Sequence, residues 1–251
     1  MKTLLPSLLA AGALLATPAH AQRAFQVGPT VGATLSTAHF DHVTDYTSTP
    51  LRGGFTAGLI GSYQSAGHWG AQVAGLFVQQ GYTQHYESPY SHYEYLDRVR
   101  LNYLRLPLLA TFSQYASGQG LRLFAGPYLG VLLGGRRTYD TDYVTNGFHQ
   151  EARVLAGDFY TRPAIVLYDN VASLYAPDYT YYSRRFDVGL QGGVGYRVGN
   201  ALLQVGYTLG LRNLAATTVY DMGTTSYSAI GEPYRTRGWQ ASLTYLLGPK
   251  F

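Results

Sequence analysis

Residues 187–211 read DVGLQGGVGYRVGNALLQVGYTLGL and consist of two alternating stretches joined by Gly199-Asn200. In each stretch, apolar residues recur at every second position, which predicts a strand, whereas a helix needs apolar residues at i, i+3, i+4 and i+7. The dipeptide between them is a good two-residue hairpin turn. Each stretch is long enough for the roughly 9 to 11 residues that a tilted membrane-spanning strand requires.

The same period-two pattern continues through the rest of the chain. We predict eight strands, at about 24–36, 52–64, 69–82, 98–114, 120–136, 184–198, 201–213 and 237–251. Strands of soluble sheets average about 5–6 residues, so these stretches are unusually long. The fold class that the pattern indicates is all-β and antiparallel.

The connections between the predicted strands alternate strictly between short and long. The short ones are 65–68, 115–119 and 199–200, and the long ones are 37–51, 83–97, 137–183 and 214–236. A membrane barrel has short periplasmic turns on one rim and long external loops on the other. The alternation therefore predicts a closed, up-and-down transmembrane β-barrel of eight strands. A soluble β-sandwich is the alternative, but nothing in a sandwich requires this alternation.

The connection 137–183 is the main question about the strand count. A structureless loop of about 45 residues is uncommon, and residues 164–168 within it are apolar. We expect an external hairpin that extends the neighbouring strands. An inserted membrane hairpin, which would make ten strands, is the alternative. Arg153, Asp158, Arg162 and Asp169 would be costly on a lipid-facing surface.

Composition excludes several classes of protein. Charged residues are 13% of the chain and cysteine is absent, while there are 30 glycines and 24 tyrosines. The lack of cysteine rules out disulfides and thiolate metal sites. The net charge is +4, and the arginines are scattered, so we expect no nucleic-acid partner. We also expect no cofactor.

The N-terminal segment has the features of an export signal. Lys2 precedes a short apolar run that ends at Ala19-His20-Ala21, and this order is typical of a cleaved signal peptide. We therefore expect a signal peptide at 1–21 and a barrel domain at 22–251. Export and the strand pattern together predict the outer membrane of a Gram-negative cell.

Three of the predicted strands resemble those of the PorT-like outer-membrane β-barrel family. The matching segments are YLRLPLLATF at 103–112, FAGPYLG at 124–130 and DVGLQGGVGY at 187–196. The resemblance implies a barrel surrounded by outer-membrane lipid. Its motifs are structural, so it carries over no catalytic residue. The last residues, YLLGPKF at 245–251, resemble the signal read by the barrel-assembly machinery, which implies that machinery as a partner during biogenesis.

An eight-stranded barrel has an interior just wide enough for side chains to fill. The polar faces of the predicted strands place nine residues there: Arg105, Arg122, Arg185, Asp187, Gln191, Arg197, Gln204, Arg212 and Gln240. Five arginines face one acid in this set, and buried charges need partners. We interpret the set as a structural polar core. The alternative is an Arg-lined path of a small-solute pore or a secretion or transport accessory.

The second long loop is rich in tyrosine. Tyr86, Tyr90, Tyr93 and Tyr95 are candidates for a binding surface, since tyrosine offers rigid contact area at low entropic cost. An interfacial aromatic belt is the structural alternative. The leading functional prediction is a non-catalytic barrel whose external loops bind a protein, a glycan or another surface polymer.

An enzyme is the least favoured hypothesis. His39, Asp41, His42 and Asp45 have residue types that bind metals or polarise water, and acids and a histidine of the third loop could meet them: Asp140, Asp142, His149, Glu151 and Asp158. The chain has no G-x-S-x-G, H-E-x-x-H or phosphate-loop motif. We therefore expect these residues to lie in solvated loops.

Overall fold

The computed structural model describes residues 25–41, 46–65, 67–88, 94–142, 148–157, 159–163, 180–221, 226–230 and 233–248. Its fourteen strands are β1 (Phe25–Phe40), β2 (Thr47–Ser48), β3 (Arg52–Gln64), β4 (Trp69–Glu87), β5 (Glu94–Ser113), β6 (Gly120–Asp142), β7 (Phe148–Ala156), β8 (Phe159–Pro163), β9 (Thr180–Ser183), β10 (Phe186–Val198), β11 (Ala201–Gly210), β12 (Thr217–Asp221), β13 (Ser226–Ile230) and β14 (Tyr234–Tyr245). No helix long and apolar enough to cross a membrane occurs among the described residues.

Eight of these strands form a closed antiparallel ring. The order around it is β1, β3, β4, β5, β6, β10, β11 and β14, and β14 pairs back with β1. Every strand of the ring therefore has a neighbour on both sides, which leaves no open edge. The predicted fold class and the count of eight are confirmed.

The three short connections are also confirmed, whereas extension of the strands reduces the connection between β4 and β5 to residues 88–93. The turns after β3, β5 and β10 are short, and Gly199 in the last of them adopts φ 59°, the left-handed conformation that this kind of hairpin turn uses. We call the end with these turns the periplasmic end and the opposite end the external end, following the usual orientation of such barrels.

The two faces of the wall have opposite character. Large apolar side chains such as Leu108, Leu129, Leu203 and Leu243 point outward and are between 40% and 61% exposed. The residues that alternate with them point inward and are mostly polar. An apolar exterior around a polar interior is the arrangement that a lipid bilayer selects.

The strands are longer at the external end than the sequence predicts. β4 continues to Glu87, β5 begins already at Glu94, and β6 continues to Asp142. The external part of β6 pairs with β7. The connection 137–183 thus begins as the expected external extension of the barrel. The apolar segment 164–168 lies outside the described residues. The last strand ends at Tyr245, earlier than the predicted 251.

A β-bulge in β6 changes which side chains face the interior. The register between β5 and β6 shifts at Asn102/Tyr103, and Gly134 has φ 141°. Because the extra residue shifts the alternation by one position, Leu132 points inward before the bulge and Arg137 points inward after it. Arg136 consequently faces outward.

Candidate functional site

Seven of the nine predicted interior residues are buried inside the ring. They are Arg105, Arg122, Asp187, Gln191, Arg197, Gln204 and Gln240. The other two lie at the external rim. Arg185 is exposed and immediately precedes β10, although its carbonyl still accepts a hydrogen bond from the Leu132 N–H at 2.7 Å. Arg212 is half-buried and follows the end of β11. The expectation that Arg185 points into the interior is therefore wrong.

The interior near the external end contains an acid–arginine network. Asp187 accepts hydrogen bonds from the Tyr128 hydroxyl at 3.2 Å and the Thr236 hydroxyl at 3.1 Å. The Arg105 guanidinium lies 4.5 Å from the centre of the Tyr128 ring and donates to Gln80. Asp187 and Arg105 attract each other electrostatically. The single predicted acid is thus shared by residues from several strands.

A pair of glutamines crosses the interior of the barrel. The side chains of Gln72 on β4 and Gln204 on β11 exchange two hydrogen bonds, of 3.2 and 3.3 Å. These two strands are diametrically opposite in the ring, so the pair spans the lumen. Gln191 and Gln240 line a small cavity beside it.

Two arginines occupy the periplasmic half of the interior. Arg122 is fully buried and donates to the hydroxyls of Ser62 at 3.0 Å and Thr111 at 2.9 Å. Arg197 donates to the carbonyl of Gly199 at 3.0 Å. Hydroxyls and a carbonyl, rather than a carboxylate, are the partners that the described residues provide for both guanidinium groups.

An aromatic cluster closes the external end of the lumen. Phe40, Tyr82 and Tyr234 pack with ring centroids 5.2 to 5.9 Å apart. They belong to a larger buried cluster that includes Leu101 and Tyr103. The Tyr234 hydroxyl also bonds Ser183 at 2.8 Å. Side chains therefore occupy the lumen at its external end as well as around the Gln72–Gln204 pair.

A row of stacked rings lies above this cluster, on the inward face of the strand extensions. Tyr86 on β4 stacks on Tyr95 on β5 at 5.2 Å, and Tyr95 stacks on Tyr139 on β6 at 5.7 Å. Arg137 lies 6.0 Å from the Tyr139 ring and 3.9 Å from the Tyr181 ring. We call Tyr86, Tyr95, Tyr139, Arg137 and Tyr181 the tyrosine row.

An ion pair fixes the arginine of the tyrosine row. Arg137 Nε donates to Asp97 at 2.8 Å, and Asp97 is almost fully buried. Burial raises the pKa of Asp97 above its ordinary value, although the charge and hydrogen bond of Arg137 oppose that rise. Burial also lowers the pKa of Arg137, but Asp97, Tyr82 and Tyr181 outweigh it, so that pKa is raised. Arg137 therefore stays charged.

The structure brings together half of the predicted tyrosine surface. Tyr86 and Tyr95 are stacked and half-buried, whereas Tyr90 and Tyr93 lie outside the described residues. Sequence reasoning missed Tyr139, Arg137 and Tyr181. Tyr139 and Arg137 could have been found by extending the β5–β6 register beyond the predicted strand ends.

The rim acids and histidines are engaged in pairs on the outer face of the wall. Asp41 pairs with Arg235 at 2.5 Å, Asp140 pairs with Arg98 at 2.7 Å and with His149, and His149 lies 4.0 Å from Glu151. Among the described ranges, no three acid or histidine side chains lie close enough to hold a metal ion. His42, Asp45 and Asp158 lie outside those ranges, and nothing is described of the Asp142 side chain.

Comparison with known proteins agrees with this geometry. The model of a family described as "Outer membrane protein beta-barrel domain" matches residues 18–216. The chain belongs to this family. This outer-membrane β-barrel is accordingly located in the outer membrane, surrounded by its lipid. No curated protein matches its sequence.

Several solved outer-membrane proteins are similar to this barrel. Ail of Yersinia pestis, solved with the heparin analogue sucrose octasulfate, is 11% identical with a TM-score of 0.39, over 89% of this chain and 99% of Ail. Neisserial surface protein A is 13% identical with a TM-score of 0.36, over 90% and 97%. OmpW of E. coli is 12% identical with a TM-score of 0.30, over 88% and 97%. At these values the similarity carries no functional argument.

Proposed function

We propose that this outer-membrane barrel is a non-catalytic binding protein, whose external strand extensions hold an extended surface polymer, a polysaccharide, against the tyrosine row. The observation that carries the proposal is the continuous stack from Tyr86 through Tyr95 to Tyr139 on the inward face of the extensions. A linear row of rings across three strands suits an extended chain better than a compact ligand.

The rigidity of the tyrosine row supports this function. Its rings are half-buried and held by one another and by the Asp97–Arg137 pair. Tyrosines already ordered in this way lose little conformational entropy when a partner binds. The hydroxyls offer donors and acceptors to a polar polymer, and Arg137 gives the row a positive charge.

A small-solute pore or transport accessory is the second candidate, and the filled interior disfavours it. The Gln72–Gln204 bridge crosses the lumen, and the aromatic cluster around Tyr82 lies above it. A conducting path would have to displace both. We propose that the polar interior serves stability alone.

The test of binding compares tyrosines at the two ends of the barrel. Purified barrel in nanodiscs is titrated with the surface polysaccharide of its own cells. We expect Tyr95→Ala and Tyr139→Ala each to weaken binding at least ten-fold. Tyr115→Ala, which removes an exposed tyrosine from a periplasmic turn, is the matched control and leaves binding unchanged. The polysaccharide proposal would be refuted if all three variants bound the polysaccharide with the same affinity as one another. It would also be refuted if the barrel bound only a protein partner.

Three further proposals concern export, membrane insertion and the subgroup of the family. We propose that residues 1–21 are removed as a signal peptide, so that N-terminal sequencing of the outer-membrane form reads from Gln22. We propose that the barrel-assembly machinery recognises the segment 245–251, so that deletion of Phe251 reduces the folded fraction in the outer membrane. We also propose a PorT-like subgroup, on the segment 103–112.

A further inference from the structure

Three arginines face outward in one line across the extended wall. The register pairs Arg100 on β5 with Arg136 on β6, and Arg136 with Arg153 on β7. All three are exposed. Residues that are directly opposite on neighbouring strands have Cβ atoms about 4.5–5.5 Å apart, and like charges at such positions destabilise a sheet. We call Arg100, Arg136 and Arg153 the arginine row.

The described part of the protein supplies little negative charge to this row. Arg136 approaches Glu151 at 3.9 Å, and both side chains are more than half exposed. The neighbour of Arg100 on β4 is Gly81, which brings no side chain. The next row toward the external end differs, because Arg98 there is paired with Asp140 at 2.7 Å. The excess of positive charge is therefore confined to one level of the wall.

That level is the upper edge of the apolar belt. Below the arginines, on the same outward face, lie Leu104 on β5, Leu133 on β6 and Leu155 on β7, which are 41%, 58% and 43% exposed. They are separated from the arginines of their own strands by two to four residues, or roughly 7–13 Å at the rise of a strand. Leucines of this kind contact acyl chains, so the arginines lie where lipid headgroups begin.

The geometry points to a binding site for the phosphate groups of the outer-leaflet glycolipid, formed by Arg100, Arg136 and Arg153. Guanidinium groups bind phosphate oxygens through paired, charge-assisted hydrogen bonds. A phosphorylated sugar headgroup bound across β5, β6 and β7 would neutralise the mutual repulsion of the row while its acyl chains cover the leucines. The site is on the outer face of the wall and is separate from the tyrosine row on the inner face.

The experiment uses the full chain in detergent micelles, with glycolipid added in phosphorylated and enzymatically dephosphorylated forms. Thermal unfolding and native mass spectrometry report stabilisation and the number of lipids retained. We expect the phosphorylated glycolipid to raise the Tm of the wild type and to stay bound. The triple variant R100Q/R136Q/R153Q should lose that shift and bind at least ten-fold more weakly. Without glycolipid, the triple variant should be at least as stable as the wild type, because repulsion is relieved.

The control is Arg235→Gln, which removes one positive charge at an external position already neutralised by Asp41 and should retain the full lipid response. A single Arg136→Gln substitution at the centre of the row gives a second, milder variant and should bind measurably more weakly. Equal retention of phosphorylated lipid by the wild type and the triple variant would overturn the proposal. The proposal would also be overturned if the wild type retained the dephosphorylated glycolipid as well as the phosphorylated one. It would equally be overturned if inorganic phosphate alone raised the Tm of the wild type as much as the phosphorylated glycolipid does.

Discussion

Replacement of Asp187 by asparagine tests whether water fills the interior of the barrel. The carboxylate is fully buried and accepts two hydrogen bonds, from Tyr128 and Thr236, and it attracts Arg105, which is only 2% exposed. Asparagine keeps the shape and removes the charge. Removal of one partner of a directly bonded buried ion pair costs about 3–5 kcal/mol. Asp187 and Arg105 attract each other without a direct hydrogen bond, so we expect Asp187→Asn to lower the free energy of unfolding by less, about 1–3 kcal/mol.

Urea unfolding in lipid vesicles measures this loss, with the lipid-facing Trp69 and Trp239 as fluorescent reporters. The double variant Arg105→Met/Asp187→Asn is the control. It removes both charges, and replacement of a whole buried pair is often nearly neutral, so it should regain most of the lost stability. A loss of under about 1 kcal/mol in the single variant, the value of a solvated pair, would show that water fills the lumen and would refute the reasoning.

The remaining predictions concern the external ion pair and one close approach in the wall. The carboxyl carbon of Asp97, followed by NMR, should titrate with a midpoint above the ordinary aspartate pKa of about 3.9. Arg137→Gln should raise that midpoint further, because the charge and hydrogen bond of Arg137 lower the pKa of Asp97. A midpoint that falls in the variant would contradict the ion pair between Asp97 and Arg137. Gly193→Ala should cost about 1–3 kcal/mol, since its new Cβ would lie 2.2 Å from a backbone oxygen and 2.7 Å from Phe124. Gly53→Ala, with nothing within 4 Å, should unfold like the wild type.

The barrel could be predicted from the sequence because each membrane-spanning strand obeys one simple rule. Alternation fixes which residues meet lipid, and it placed residues such as Arg122 and Gln204 in the interior. The Gly199-Asn200 turn fixed a register, and the short connections fixed which strands are neighbours. These are local features, so a single sequence carries them.

The external region could not be predicted in the same way. The bulge near Gly134 inserts one residue into β6 and reverses the alternation beyond it, so that Arg136 faces outward and Arg137 faces inward. No local sequence rule sets the position of such a bulge. Tyr181 reaches Arg137 through the pairing of β7 with β9, which is a contact between segments distant in sequence. Arg185 continues the alternation of β10 in the sequence, but the strand begins one residue later.

The conductance of single barrels in planar bilayers tests the central claim most directly. A closed eight-stranded barrel, crossed by the Gln72–Gln204 bridge and closed by the aromatic cluster around Tyr82, should show no ion-conducting steps at any applied voltage that the bilayer withstands. Protein inserted into the same bilayer should first be shown to be folded by its heat-dependent migration on a gel. Reproducible, ion-selective openings from the folded protein would contradict the sealed interior and would favour the pore.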